Sequence, residues 1–72
     1  MTFTTRLIWR DSATHSPLIE QAFPRVFSTP KTAEKYLESR VSGMKAITFN
    51  NVSIYGQVIN ENGKIETGIL LF

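Results

Sequence analysis

The stretch Val52-Ser53-Ile54-Tyr55-Gly56-Gln57-Val58-Ile59-Asn60-Glu61-Asn62-Gly63-Lys64-Ile65-Glu66-Thr67-Gly68-Ile69-Leu70-Leu71 decides the fold. Asn62-Gly63 is a strong hairpin signal, because both central positions of a type I′ turn take positive φ and Asn and Gly accept it best. Counting outward pairs Glu61 with Lys64, Asn60 with Ile65, Val58 with Thr67, Gly56 with Ile69, Tyr55 with Leu70 and Ile54 with Leu71. A second turn at Asn50-Asn51 pairs Phe49 with Val52 and Ile47 with Ile54. The two counts agree: Ile47, Phe49, Val52, Ile54, Val58, Ile65, Ile69 and Leu71 share one face of a strand meander, and a helix is needed to cover it.

Upstream lies that helix. Thr29-Pro30 supplies a hydroxyl N-cap and a proline at the first helical position, where its missing N–H removes no bond. Ala33, Tyr36, Leu37, Arg40, Val41 and Met44 recur at helical spacing, and Gly43 reads as a left-handed C-terminal stop, which predicts an amphipathic helix over residues 30–42. Residues 3–10 alternate Phe3, Leu7 and Trp9 with Thr4, Arg6 and Arg10, with Thr5 on the apolar side and Ile8 on the polar one, and read as a strand. Residues 11–17 lose the alternation and read as a loop. In Leu18 to Ser28 an apolar run is interrupted by Pro24, which points to an edge strand at about residues 25–28 whose start before the proline is left open. The expectation is an α+β domain spanning residues 1–72, a small antiparallel sheet of four to five strands with one helix on one face, in the order β-(β)-α-β-β-β.

At 72 residues and 8.2 kDa the chain has the length of one domain, and its composition, 42% hydrophobic and 19% charged, is too apolar for disorder. No cysteine is present to staple so short a chain, so self-association is one route to added stability. Met1 to Arg10 lacks a basic segment followed by an apolar one, and the expected location is cytoplasmic. Asn51-Val52-Ser53 fits a glycosylation pattern that has no role in that location.

Catalytic parts are scarce. His15 is the one histidine and stands beside Asp11, Ser12 and Ser16, but sequence neighbours on one loop do not make a triad, which needs its members held by separate rigid elements. No cofactor or metal is expected, since one His, no Cys and scattered carboxylates give no ligand spacing. The glycines do not form a phosphate loop; Gly56 and Gly68 fall in strands, where sheet curvature explains them better than partner contact. The exposed helix face, with Lys31, Glu34, Lys35, Glu38 and Ser39, is of mixed sign and unsuited to a DNA groove.

What remains is the sheet's second face. Register puts Ala46, Thr48, Ser53, Tyr55, Gln57 and Ile59 there, with Glu66, Gly68, Leu70 and Phe72 on the next strand, and Ile8 nearby. Three readings are open for its apolar members: cover by the segment carrying Leu18, Ile19 and Phe23 around a central C-terminal strand, an interface with another protein or a second copy, or base stacking on Tyr55 and Phe72. The expected function is a small non-catalytic protein-binding module that occupies a surface of a larger protein, through Tyr55, Ile59, Leu70 and Phe72 or through Arg6 and Arg10, which share a strand face. In size and layout alone the chain resembles the accessory inhibitors and regulators that phages and mobile elements encode. The alternative is a weak nucleic-acid binder. It would use the basic groups Arg6, Arg10, Arg25, Lys31, Lys35, Arg40 and Lys45, which all precede residue 46, with exposed aromatics. No membrane partner is expected.

Overall fold

The computed structural model describes residues 1–44 and 51–72. The first alternating run forms β1 (Phe3–Asp11), followed by β2 (Pro17–Phe27), helix α1 (Pro30–Met44), β3 (Val52–Asn60) and β4 (Ile65–Leu70). All neighbours pair antiparallel in the order β2-β1-β3-β4, and α1 lies on one face, so the α+β architecture expected from sequence is the one observed. No described helix is long and apolar enough to cross a membrane.

Three boundaries differ from the sequence reading. The strand expected at about residues 25–28, its start left open, is an eleven-residue strand, β2, that begins at Pro17, before Pro24, and lies at an edge among the described residues. Its pairing partner is β1, with Thr5 opposite Phe23 and Ile8 opposite Glu20, and the register slips between Phe3 and Thr5 and again between Trp9 and Arg10. An edge strand has one side without ladder bonds, which is why Pro24 is accommodated. The helix continues through Gly43 to Met44, and Gly43 does not take the positive φ of a C-terminal stop. Finally, β4 is an edge rather than a central strand among the described residues, and Val52 and Ile54 pair with Asp11 and Trp9 of β1. The fifth strand and the faces assigned to Ala46, Ile47, Thr48 and Phe49 lie outside the described residues.

The turn between β3 and β4 is a three-residue loop rather than the two-residue one. Gly63 N–H donates to the Asn60 carbonyl at 2.9 Å, Asn60 N–H donates to the Lys64 carbonyl at 2.9 Å, and only Gly63 of the Asn-Gly pair has positive φ, at 81°. This is a type I turn closed by a glycine bulge. Asn60 selects it: its Oδ1 accepts the N–H groups of Asn62 (2.9 Å) and Lys64 (3.0 Å), while its Nδ2 donates to Glu66 Oε1 (3.1 Å). The counted register holds from Tyr55–Leu70 to Val58–Thr67, then slips so that Ile59 faces Ile65. Ile65 therefore leaves the helix-covered face on which counting placed it and is about half exposed.

At the start of α1, Thr29 Oγ1 accepts the Thr32 N–H at 3.3 Å, as the cap requires. Ala33, Leu37 and Val41 form a fully buried stripe over Phe3, Leu7, Phe23, Ile54 and Val58, with Trp9, Val52 and Leu71 packed around them. Gly56 is what lets the layers meet. A Cβ there would stand 2.7 Å from Leu71 Cδ1 and 3.0 Å from Leu37 Cδ1, so close packing of these two side chains over the strand leaves a side chain here no room. Gly56→Val is expected to lower stability by about 1–3 kcal/mol through overpacking, read as a shift of the urea midpoint with unchanged slope.

Thr5 sits in the same layer, fully buried, and its Oγ1 has no hydrogen-bond partner. A buried hydroxyl without a partner is destabilising, so Thr5→Val is expected to add about 1 kcal/mol and raise the melting temperature by about 4–8 °C. A lowered melting temperature would show that the hydroxyl is satisfied. In the β1–β2 turn, the N–H groups of Thr14 and Ala13 point at the Asp11 carboxylate (3.0 and 2.9 Å) and hold its pKa below the usual carboxylate value. A depressed folded pKa gives a stability contribution present above the unfolded value and lost as pH falls through the folded one.

Candidate binding face

The face turned away from α1 has no described element over it. Strand alternation places Thr4, Arg6, Ile8 and Arg10 of β1 there, with Glu20 and Ala22 of β2, Ser53, Tyr55, Gln57 and Ile59 of β3, and Gly68 and Leu70 of β4. Register lines them up in rows across the strands. One row runs Glu20, Ile8, Tyr55, Leu70 and the next runs Ala22, Arg6, Gln57, Gly68. The first is apolar over three strands and the second is polar.

The polar row is internally satisfied. Arg6 Nη1 donates to Glu20 Oε1 at 2.8 Å, and its Nε and Nη2 both donate to Gln57 Oε1, at 3.0 and 2.6 Å. This is the one ion pair among the described residues, and it ties three strands together rather than leaving Arg6 free for a ligand. Arg10 is placed differently. Its guanidinium lies 5.8 Å from the centroid of the Tyr55 ring and Nη1 donates to the His15 carbonyl at 3.1 Å, leaving its charge without a carboxylate.

Between the rows is a cleft of about 300 Å³ lined by Ile8, Arg10, Tyr55, Gln57, Gly68 and Leu70. Gly68 makes it: nothing lies within 4 Å of where its Cβ would be, so the cleft is open where any other residue would place a side chain. Leu70 stands beside it, 64% exposed, and Ile65 and Phe72 are also exposed. Ile8 is only 7% exposed.

The structure thus brings Tyr55 and Leu70 into direct pairing, sets Arg10 over Tyr55, and places Ile59 four residues further along β3, beyond Gln57 and opposite Ile65. Phe72 follows Leu70 at the strand end, and Arg6 faces the same way but is engaged with Glu20 and Gln57. The reading in which the Leu18–Phe23 segment covers this face is overturned. These residues belong to β2; Phe23 is buried under α1, and Leu18 and Ile19 are exposed at 55% and 60%. Sequence reasoning missed Glu20 and the slip that brings Ile65 to Ile59. Glu20 carried no signal because the edge strand expected at about residues 25–28, its start left open, fixes no register that far upstream. Asn60 carried one, a short amide two residues before an Asn-Gly pair.

Near His15, the Asp11 carboxylate is occupied by two backbone N–H groups, and Ser16 Oγ accepts from Thr14 Oγ1 at 3.0 Å. Among the described residues no group of three or more His, Cys, Asp or Glu is placed to hold a metal ion. No family model matches the chain, and comparison with curated proteins and with solved structures finds no match.

Proposed function

We propose that this protein is a non-catalytic binding module that docks the outer face of its sheet onto a larger protein and acts by occupying that partner's surface. The observation that carries this reading is Leu70, 64% exposed, paired with a part-buried Tyr55 beside the buried Ile8, on a face that no described element covers and that also carries Ile59, Ile65 and Phe72 beyond or beside the polar row. An exposed leucine beside an aromatic, with arginine at the rim, is the kind of composition found at interface cores. The cleft beside Leu70 suits one projecting apolar side chain of the partner, and Arg10, lacking a carboxylate of its own, suits an acidic group next to it.

Nucleic acid is the less favoured occupant of this face. Arg6 is neutralised by Glu20, and the face of the Tyr55 ring that a base would need is shared with Arg10. The two occupants separate by experiment: a protein complex survives nuclease and moderate salt, whereas retention of single-stranded RNA or DNA falls steeply as salt rises. Nuclease-sensitive capture, or salt-dependent retention of RNA lost with Tyr55→Ala, would replace the protein-docking reading with the nucleic-acid one.

A further inference from the structure

A second group of cations lies beside α1. Helix positions one residue after the buried stripe of Ala33 and Leu37 are Glu34 and Glu38, so the acidic groups lie on one flank of α1; positions one residue before Leu37 and Val41 are Tyr36 and Arg40, on the other. That second flank faces the end of β2, and between them runs an open groove of about 540 Å³ lined by Arg25, Val26, Phe27, Thr32, Lys35 and Tyr36. No carboxylate lines it, and the one acidic residue of β2, Glu20, is paired to Arg6 on the opposite face.

Its arginines are held but not spent. Arg25 stacks over Phe27 and Tyr36, 5.3 and 5.5 Å from the ring centroids, and Arg40 stacks over Phe23 and Tyr36 at 4.9 and 5.5 Å. The rings are themselves locked: Phe23 meets Tyr36 edge-on at 5.6 Å and Phe27 meets it at 5.0 Å. Neither guanidinium makes a hydrogen bond or ion pair among the described residues. A stacked guanidinium is fixed in orientation while its N–H edge stays available, the arrangement that recognises a carboxylate by paired hydrogen bonds.

We infer that the β2–α1 groove is a second binding site, which takes an extended acidic peptide segment of a partner protein. The groove's shape and its charge both select that occupant. Its helical wall runs from Thr32 to Ser39, about 10 Å at 1.5 Å per residue, enough for about three residues of extended chain. Arg25 and Lys35 line it and Arg40 adjoins it with no acidic residue between them, so a segment carrying Asp or Glu is matched in sign. The aromatic faces are already occupied by the arginines, which removes the platforms a nucleobase would stack on.

The test is fluorescence polarisation at low salt with three labelled probes: an eight-residue peptide alternating Glu and Val, its Lys-for-Glu counterpart, and an eight-nucleotide oligo-dT. The expected result is saturable binding of the acidic peptide alone. Arg25→Glu combined with Lys35→Glu is expected to weaken it at least about tenfold, while Leu70→Glu leaves it unchanged. If the charge reversal unfolds the chain, Arg25→Gln with Lys35→Gln replaces it, with a loss of about threefold or more expected. No binding of the acidic peptide, equal binding by the folded variant, or tighter binding of oligo-dT would each overturn the proposal. The Leu70→Glu arm keeps this outcome independent of the outer-face reading.

Discussion

Leu37→Ala is expected to destabilise the protein by about 3–4 kcal/mol, the range for truncating a fully buried leucine that leaves a cavity behind. Leu37 is the centre of the helical stripe, with no solvent exposure, and its Cδ1 reaches the sheet at Gly56, where the absence of a side chain makes room for it. A neighbour therefore cannot simply settle into the space. For a domain of this length total stability is on the order of 4–10 kcal/mol, so the loss is a large share of it. The melting temperature followed by circular dichroism should fall by about 12–25 °C. A fall below about 3 °C would mean that α1 does not close the core as described.

The second large effect concerns binding rather than stability. Leu70→Glu is expected to leave stability within about 0.5 kcal/mol, because the side chain is mostly exposed and nothing described packs over it. Affinity for the partner is expected to drop about 30-fold or more, as for loss of a central apolar contact with a buried charge put in its place. Tyr55→Ala should act in the same direction, removing both the ring beside Leu70 and the surface on which Arg10 lies. Unchanged stability with unchanged affinity would remove Leu70 from the interface.

Much of this was legible from residues alone, and the parts that were not have identifiable causes. The helix was readable from local chemistry, the Thr29-Pro30 cap and the spacing of Ala33, Leu37 and Val41, because capping and periodicity act within a few residues. The β3–β4 pairing was readable over Tyr55 to Val58 because an Asn-Gly pair sets register from a turn. It failed at Ile65, where the Asn60 side chain changes the loop by one residue and the slip moves Ile65 across the sheet. β2 was mostly invisible, since two prolines obscure it locally and what makes it a strand is pairing with β1.

The candidate surfaces follow the same division. Tyr55, Leu70 and Ile59 could be placed on one face by counting, and they are on it. The Arg6–Glu20–Gln57 bridge could not be foreseen, because the edge strand expected at about residues 25–28, its start left open, gave no register for Glu20. The groove depends on how β2 packs against α1, so Arg25, Lys35 and Arg40 read in the sequence as part of a diffuse basic bias rather than as a cluster around one groove.

The outer face as docking surface is tested most directly by site-specific photo-crosslinking in the native host, with a benzophenone side chain placed at position 70 or, as control, at position 38 on the acidic flank of α1. The prediction is an adduct from position 70 heavier than two copies of the chain and resistant to nuclease, with none from position 38. No adduct at 70, or adducts only at 38, would contradict it, and an adduct of twice the chain's mass would assign the face to a second copy instead.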